Sequence, residues 1–358
     1  MIIMKQKIKL IGILLVFMVF AACKEEAKNV TVEVKQEAKT EAADEAKPSG
    51  IVNGVKQVWI DADLAVGKKN IEKPGYSDVD DGYAVLQLLQ AKNVKINGLS
   101  TVFGNNSVEN AFAIGNYISK EFAAQKIKVY KGAGAAINLD SVVTNDAVEA
   151  MAAALKKQPL TILAIGPATN VGLLLLKYPE LQSQIVEVVL VAGRRTPLDY
   201  FKIGNKGVLA KDLNFDLDNT AFRILLENNV PLVFCPYEIS SKVWIKQNDL
   251  EALKSTTPAM KWLATASQPW IEQWKNQGAE GFNPFDVLAS HYIIAPEDII
   301  TEPLQARLEI NLDDTVKENK NRVYKSYLLC TKEGGAAVTY CYDVVPNYHQ
   351  KLMETFKK

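Results

Sequence analysis

Hydrophobic positions along this chain change period again and again, and the changes alternate in kind. KQVWIDAD (56–63) predicts a first strand, and DDGYAVLQLLQ (80–90) spaces its apolar residues at helical intervals. INGLSTVFGN (96–105) predicts a strand running into a loop, 107–124 a helix, IKVYKG (127–132) a strand and 145–157 a helix. LTILAIG (160–166) and VEVVLVAG (186–193) are apolar strands, the second a continuous run of the kind found where both faces are covered. Between them, PATNVGLLLLKYP (167–179) opens on proline, which suits a first helical turn. A helix near 218–228, the strand VPLVFCP, a helical stretch from 249 to 295, short strands from 305 to 343 and a terminal helix complete the order. Alternation of this kind predicts an α/β fold, an open and mostly parallel sheet of Rossmann-like topology with helices on both faces. Ligands of such sheets bind beyond the carboxyl ends of the strands. Asp61, Asp63, Asn105, Ile165, Gly166 and Gly193 all fall at such ends, so they are expected to converge on one crevice.

The first residues break this pattern. MIIMKQKIK is basic, and LIGILLVFMVF is an apolar run about half as long as a bilayer-spanning helix. With Ala21 and Ala22 behind it, residues 1–22 read as a secretory signal peptide. FAAC is similar to the bacterial lipobox, which implies cleavage before Cys23 and lipidation of that cysteine. Acyl chains there would hold the protein at a membrane surface of the bacterial cell envelope, on the periplasmic face or the cell surface. Residues 23–50 are rich in Lys, Glu and Ala and hold no aromatic residue, so they read as a tether. Residues 51–358 are long enough for one large domain with a substantial core.

Charge and cysteine content narrow the picture. Acidic and basic side chains balance, 41 against 41, with no basic block, which argues against a nucleic-acid partner. Cys235 lies in an apolar strand and reads as a buried thiol. Cys330 and Cys341 flank KEGG symmetrically; in a hairpin they would face each other, and an exported protein permits a disulfide there.

Candidate chemistry concentrates in one stretch. Asp61 and Asp63 alternate around Ala62 and so point the same way. After LAVGKKNIEKPGYSDV come Asp80 and Asp81, at a helix start, with Asp78 just before them. One aspartate there would be explained as a cap that complements the helix dipole. Four or five at one junction repel unless a cation lies between them, and oxygen donors suit Ca²⁺ or Mg²⁺. His291 and His349 are too few for a histidine-built zinc site.

IDAD and DVDDGYAVLQLL together resemble the N-terminal aspartate motif of the inosine-uridine-preferring nucleoside hydrolase family. STVFGNNSVENA, LTILAIGPATNVGLLL, VVLVAG, LNFDLDNTA and NPFDVLAS match further segments in order, from about 59 to 290. The resemblance implies a nucleoside hydrolase-like fold, bound Ca²⁺ and hydrolysis of the N-glycosidic bond of ribonucleosides, a glycosidase activity that would serve salvage. It implies Asp63 as general base and metal ligand, Asp81 and Asp286 as metal carboxylates, and the Ile165 carbonyl as main-chain ligand. Asp80, Asn105 and Asn214 would contact the ribose hydroxyls, Asp212 and Asn205 the 5′-hydroxyl, and Asp61 and Asp78 would brace the site from behind. The expected partners are a small nucleoside or riboside and, through the anchor, a membrane; self-association into a homo-oligomer stays open.

Two departures qualify the resemblance. The family usually has three residues where this chain has LAVGKKNIEKPGYSDV, an insertion that either folds aside or lids the crevice. It also lets Asp78 take the role given to Asp80. The residue before Asp286 is Phe285, where many members carry the histidine that protonates the leaving base. Purine-specific members carry an aromatic residue there and stack the base, so purines are the expected substrates. Trp270 and Trp274 could add a second wall, although core packing is the preferred reading for both. His291 reads as a helix-packing or surface residue, while Arg194 and Arg195 face either the crevice or solvent. The alternative reading is a sugar- or nucleoside-binding lipoprotein of the same fold, without turnover or with altered specificity.

Overall fold

The computed structural model describes residues 49–69, 75–316 and 318–357. The signal peptide, Cys23 and nearly all of the tether read from the sequence lie outside the described residues. None of the described helices is long and apolar enough to cross a membrane.

One large sheet organises the chain. Its strands run in the order Tyr324–Thr331, Ile299–Leu312, Ala336–Val344, Leu232–Phe234, Ile185–Leu190, Leu160–Ala164, Val55–Ala62, Val94–Thr101 and Val129–Lys131. From Ala336–Val344 to Val129–Lys131 every neighbouring pair is parallel. The other two pairings, at the carboxyl-terminal edge, are antiparallel. Side chains alternate across the sheet as the two-residue strand period requires. Ile60, Leu163, Val189 and Val233 enter one core, with the helices Asp80–Gln90, Val108–Glu121 and Phe285–Ile294. Trp59, Ile162, Val188 and Leu232 enter the other, with Asp146–Leu155, Thr169–Lys177 and Asn219–Glu227. Both faces are therefore covered, which is why these strands read as apolar runs.

The antiparallel edge corrects one expectation. Ile299–Leu312 is a single strand of 14 residues, and the two strands carrying Cys330 and Cys341 pair with it from opposite sides. Cys330 lies opposite Ala306 and Cys341 opposite Thr301, so no disulfide joins them. They also point into different cores. KEGG crosses the long strand near its middle, at Gln305 and Ala306, instead of closing a hairpin. The neighbour of Cys341 is Cys235, with the sulfurs 3.5 Å apart.

Candidate active site

The first strand carries Asp61 and Asp63 to its carboxyl end, where both are wholly buried. Asp61 Oδ1 accepts hydrogen bonds from Ser100 Oγ at 2.5 Å and Asn170 Nδ2 at 2.8 Å. Trp59 Nε1 donates to the same serine at 2.8 Å. Asp61 thus ties two strand ends to the helix that follows LAIGPA. Burial outweighs both hydrogen bonds and pushes its carboxyl up to about 6. Asp63 Oδ2 accepts the Asn105 N–H at 2.6 Å, and burial pushes this carboxyl to about 7. Two glycines make that approach possible. A Cβ on Gly104, at φ +156°, would lie 2.0 Å from Asp63 Oδ2, and one on Gly166 would lie 2.9 Å from the Asp63 nitrogen.

The helices Asp80–Gln90 and Phe285–Ile294 pack together, which sets their first turns side by side. The Asp286 N–H donates to Asp80 Oδ2 at 3.1 Å, so residues 206 apart in sequence share one hydrogen bond. Burial raises Asp80 to about 6. Asp81 goes well above the usual range, through burial first and then the charges of Asp63, Asp286, Asp78 and Asp80. Asp286 is raised in the same way. Both oxygens of Asp81 and Oδ1 of Asp63 are buried with no hydrogen-bond partner. Carboxylate oxygens of Asp78, Asp80 and Asp81 lie within 4.8 Å of one another. Two helix N-termini offset part of this charge. The remainder calls for a cation, since buried carboxylates left uncompensated cost several kcal/mol each. The donors are all oxygen, so the cation they fit is a hard one.

A cavity of about 290 Å³ opens onto this cluster. Asp78, Asp80, Asp286, Asn105, Asn214, Asp212 and Ile165 form its polar side. Asp63 and Asp81 are buried next to it and do not themselves line it. Asn214 Nδ2 reaches the Ile165 carbonyl at 3.3 Å and that of Val191 at 3.1 Å, tying two strand ends together. Asp212 Oδ2 accepts the Gly193 N–H at 2.8 Å; burial holds its carboxyl near about 7 despite the charge of Arg194.

The lining also holds a cluster of aromatic rings: Phe201, Tyr237, Trp270, Trp274 and Phe285. Phe201 and Tyr237 stack at 4.8 Å, and Phe285 lies 6.1 Å from Tyr237 and 6.2 Å from Trp274. Core packing is thus only half the account of the tryptophans. Trp274 is buried, yet both rings stand on the cavity wall. Sequence reasoning missed Phe201 and Tyr237. Tyr237 comes three residues beyond the end of the strand Leu232–Phe234, where the carboxyl-end rule could have found it. It also missed the bracing role of Asn170.

Other expected residues fall elsewhere. Asn205 is exposed, does not line the cavity and abuts the Gly278 turn, its N–H bonded to the Gln277 carbonyl at 3.0 Å. His291 is buried between Gln87 (3.3 Å) and Asp298 (3.1 Å) and packs on Tyr348, a helix-packing role. Arg194 is buried, paired with Asp314 at 2.7 Å and stacked on Phe201 and Tyr327. Arg195 pairs with Glu238 and Glu302. The insertion turns back on itself. Gly67 N–H donates to the Asp78 carbonyl at 2.8 Å, Ser77 N–H to that of Lys68 at 2.9 Å, and Lys69 bridges Tyr76. Residues 70–74 lie outside the described residues. Asp78 and Asp80 both reach the cavity.

A parallel α/β sheet whose strand ends gather buried aspartates against an aromatic cavity defines a cation-centred small-molecule site. The chain belongs to the Inosine-uridine preferring nucleoside hydrolase family, whose profile matches residues 58–344. The family is metal-dependent. A pyrimidine-specific ribonucleoside hydrolase of Citrobacter koseri is 30% identical over 159 residues, 43% of this chain and 49% of that protein. Its Salmonella typhimurium counterpart is 29% identical over 160 residues, with the same coverage. The chain therefore spans about half the length of the curated relatives it matches. Among solved structures, a purine-preferring ribonucleoside hydrolase from Gardnerella vaginalis superposes with TM-score 0.66 at 19% identity, covering 84% of this chain and 98% of that one. An inosine-uridine preferring nucleoside hydrolase from Bacillus anthracis gives TM-score 0.63 at 17% identity, with the same coverage. At these identities the structural likeness speaks for the fold.

Proposed function

We propose that the protein hydrolyses the N-glycosidic bond of ribonucleosides, with Ca²⁺ as its cation and a leaning toward purines. The observation that carries this reading is the mixed lining of one cavity of about 290 Å³, where clustered carboxylates and amides meet a cluster of aromatic rings. A nucleoside divides the same way, into a polyhydroxyl sugar and a flat base. When bound at Asp63, Asp81, Asp286 and the Ile165 carbonyl, the cation would supply positive charge that gathers the ribose diol and the water in one place. Asp80, Asn105 and Asn214 hold the sugar hydroxyls. Asp63 takes the proton of the attacking water through its unpartnered Oδ1. The oxygen of that water joins the anomeric carbon as the C–N bond breaks, and the departing base gains a proton. Carboxylates around the sugar favour its oxocarbenium character. Neither histidine lines this cavity, so the rings of Phe285, Tyr237 and the two tryptophans take the base by stacking. That is the basis for the purine leaning, which runs against the pyrimidine-specific relatives.

The lack of an imidazole at the cavity also favours the second reading, binding without turnover. Release of reducing sugar from a panel of purine and pyrimidine nucleosides, with and without a calcium chelator, separates the two. Chelator-sensitive release, fastest with purines, is expected. Nucleoside binding without release would replace hydrolysis by the second reading. We extend the proposal to location: Cys23 is lipidated and the domain works at the cell envelope. Cys23→Ser should move the protein from the membrane fraction to the soluble one, and unchanged fractionation would refute the anchor.

A further inference from the structure

We propose that Asp78, delivered by the inserted segment, is an additional direct carboxylate ligand of the cation site, making that site more acidic than the shorter family motif provides. The inference rests on the cation-dependent reading above. Its geometric basis is the set of Asp78, Asp80 and Asp81 oxygens within 4.8 Å of one another. A second observation points to a ligand there. Asp81 is wholly buried, and neither of its oxygens has a hydrogen-bond partner. A carboxylate so placed needs an electropositive neighbour, and Asp78 is one of the groups beside it. The same residue lines the cavity, so a cation held by Asp78 would border the substrate as well as the floor.

The insertion is built to hold Asp78 in position. Its base is closed by the Gly67 N–H on the Asp78 carbonyl and by the paired Lys68 and Ser77. Its outer part is fixed to the helix Gln268–Asn276, where Gln273 Oε1 accepts the Tyr76 N–H at 3.0 Å. Gly67, at φ +70°, lies so close to the preceding helix that a Cβ would stand 2.2 Å from the Ala266 carbonyl oxygen. The segment therefore connects the acidic floor to the helix that carries Trp270 and Trp274. Carboxylate count is the main lever on affinity in oxygen-donor cation sites.

Calcium titration calorimetry on purified protein stripped with chelator tests this, together with luminescence lifetimes of bound Tb³⁺ in H₂O and D₂O. Asp78→Asn is expected to weaken calcium binding about tenfold or more and to add coordinated water to bound Tb³⁺. Asp78→Glu, which keeps a carboxylate, should stay closer to the parent in both readouts, and circular dichroism checks that each variant folds. Unchanged affinity and water count in Asp78→Asn would overturn the proposal. Weaker affinity with an unchanged water count would overturn the ligand role too, leaving Asp78 to act through charge alone. If the parent protein binds no divalent cation, both this inference and the cation-dependent reading fall. If the parent binds and Asp78→Asn binds equally, only this inference falls.

Discussion

The two sides of the cavity are built by different means. The acidic side is assembled from a strand end and two helix starts, and five aspartates of the site lie within residues 61–81. The aromatic side is gathered from a small hairpin at Phe201–Ile203 and Val208–Ala210, the short helix that starts at Tyr237, the helix holding both tryptophans, and Phe285 at the start of the helix that also carries Asp286. The first can do one kind of chemistry and tolerates little change, since each carboxylate is buried beside others. The second is a surface of rings that can be exchanged while the floor stays intact. Chemistry should therefore fail with the floor, and substrate choice should drift with the wall.

The largest effect is expected at the floor. Asp63→Asn should cut kcat by about 10²–10⁴-fold and leave the fold intact by circular dichroism; near-parental kcat would remove Asp63 from the role of base. Next comes the wall. Trp270→Ala should raise KM for purine nucleosides by roughly 5- to 150-fold, the equivalent of about 1–3 kcal/mol for one stacked base. Its kcat should move much less, and a loss confined to kcat would contradict the division of labour. Phe285→His should then shift the kcat/KM ratio toward pyrimidine nucleosides by about tenfold, in line with an added general acid. A ratio that does not move would mean the wall does not choose the base.

The smallest effect is on stability. Asp61 and Asp80 titrate near about 6 and Asp63 near about 7 when no cation is bound, all raised from 3.8 chiefly by burial. The folded state then holds protons that the unfolded chain has released, so stability falls as pH rises from about 4 to about 7. The melting temperature of cation-free protein should drop by several degrees over that window. Added calcium should restore it at the upper end, because charged carboxylates then have a partner. A melting temperature that rises with pH in the absence of cation would contradict the crowding.

Legibility in the sequence follows the same division. The parallel sheet was readable because strands covered on both faces are apolar throughout, as in VEVVLVAG. The acidic floor was readable because most of it is one short segment, and Asp286 followed from the family resemblance. The wall was readable only in part: Phe285 came with the family resemblance and Trp270 and Trp274 stood one helical turn apart, whereas Phe201 joins them only through the tertiary fold and Tyr237 only by its place beyond a strand end. Symmetry around KEGG suggested that Cys330 faces Cys341. The suggestion failed because a 14-residue strand can pair on both edges and so separate its two neighbours. Asn205 carried its family role in sequence alone, since its side chain stands exposed against the Gly278 turn.

Product analysis after incubation with inosine and calcium, in phosphate-free buffer, tests the joint action of floor and wall most directly. Ribose and hypoxanthine are expected in equal amounts, with none of either when a chelator is present and a rate from Asp63→Asn lower by about 10²–10⁴-fold. Inosine recovered intact from the calcium-loaded parent protein, and likewise every other nucleoside offered, would contradict that joint action.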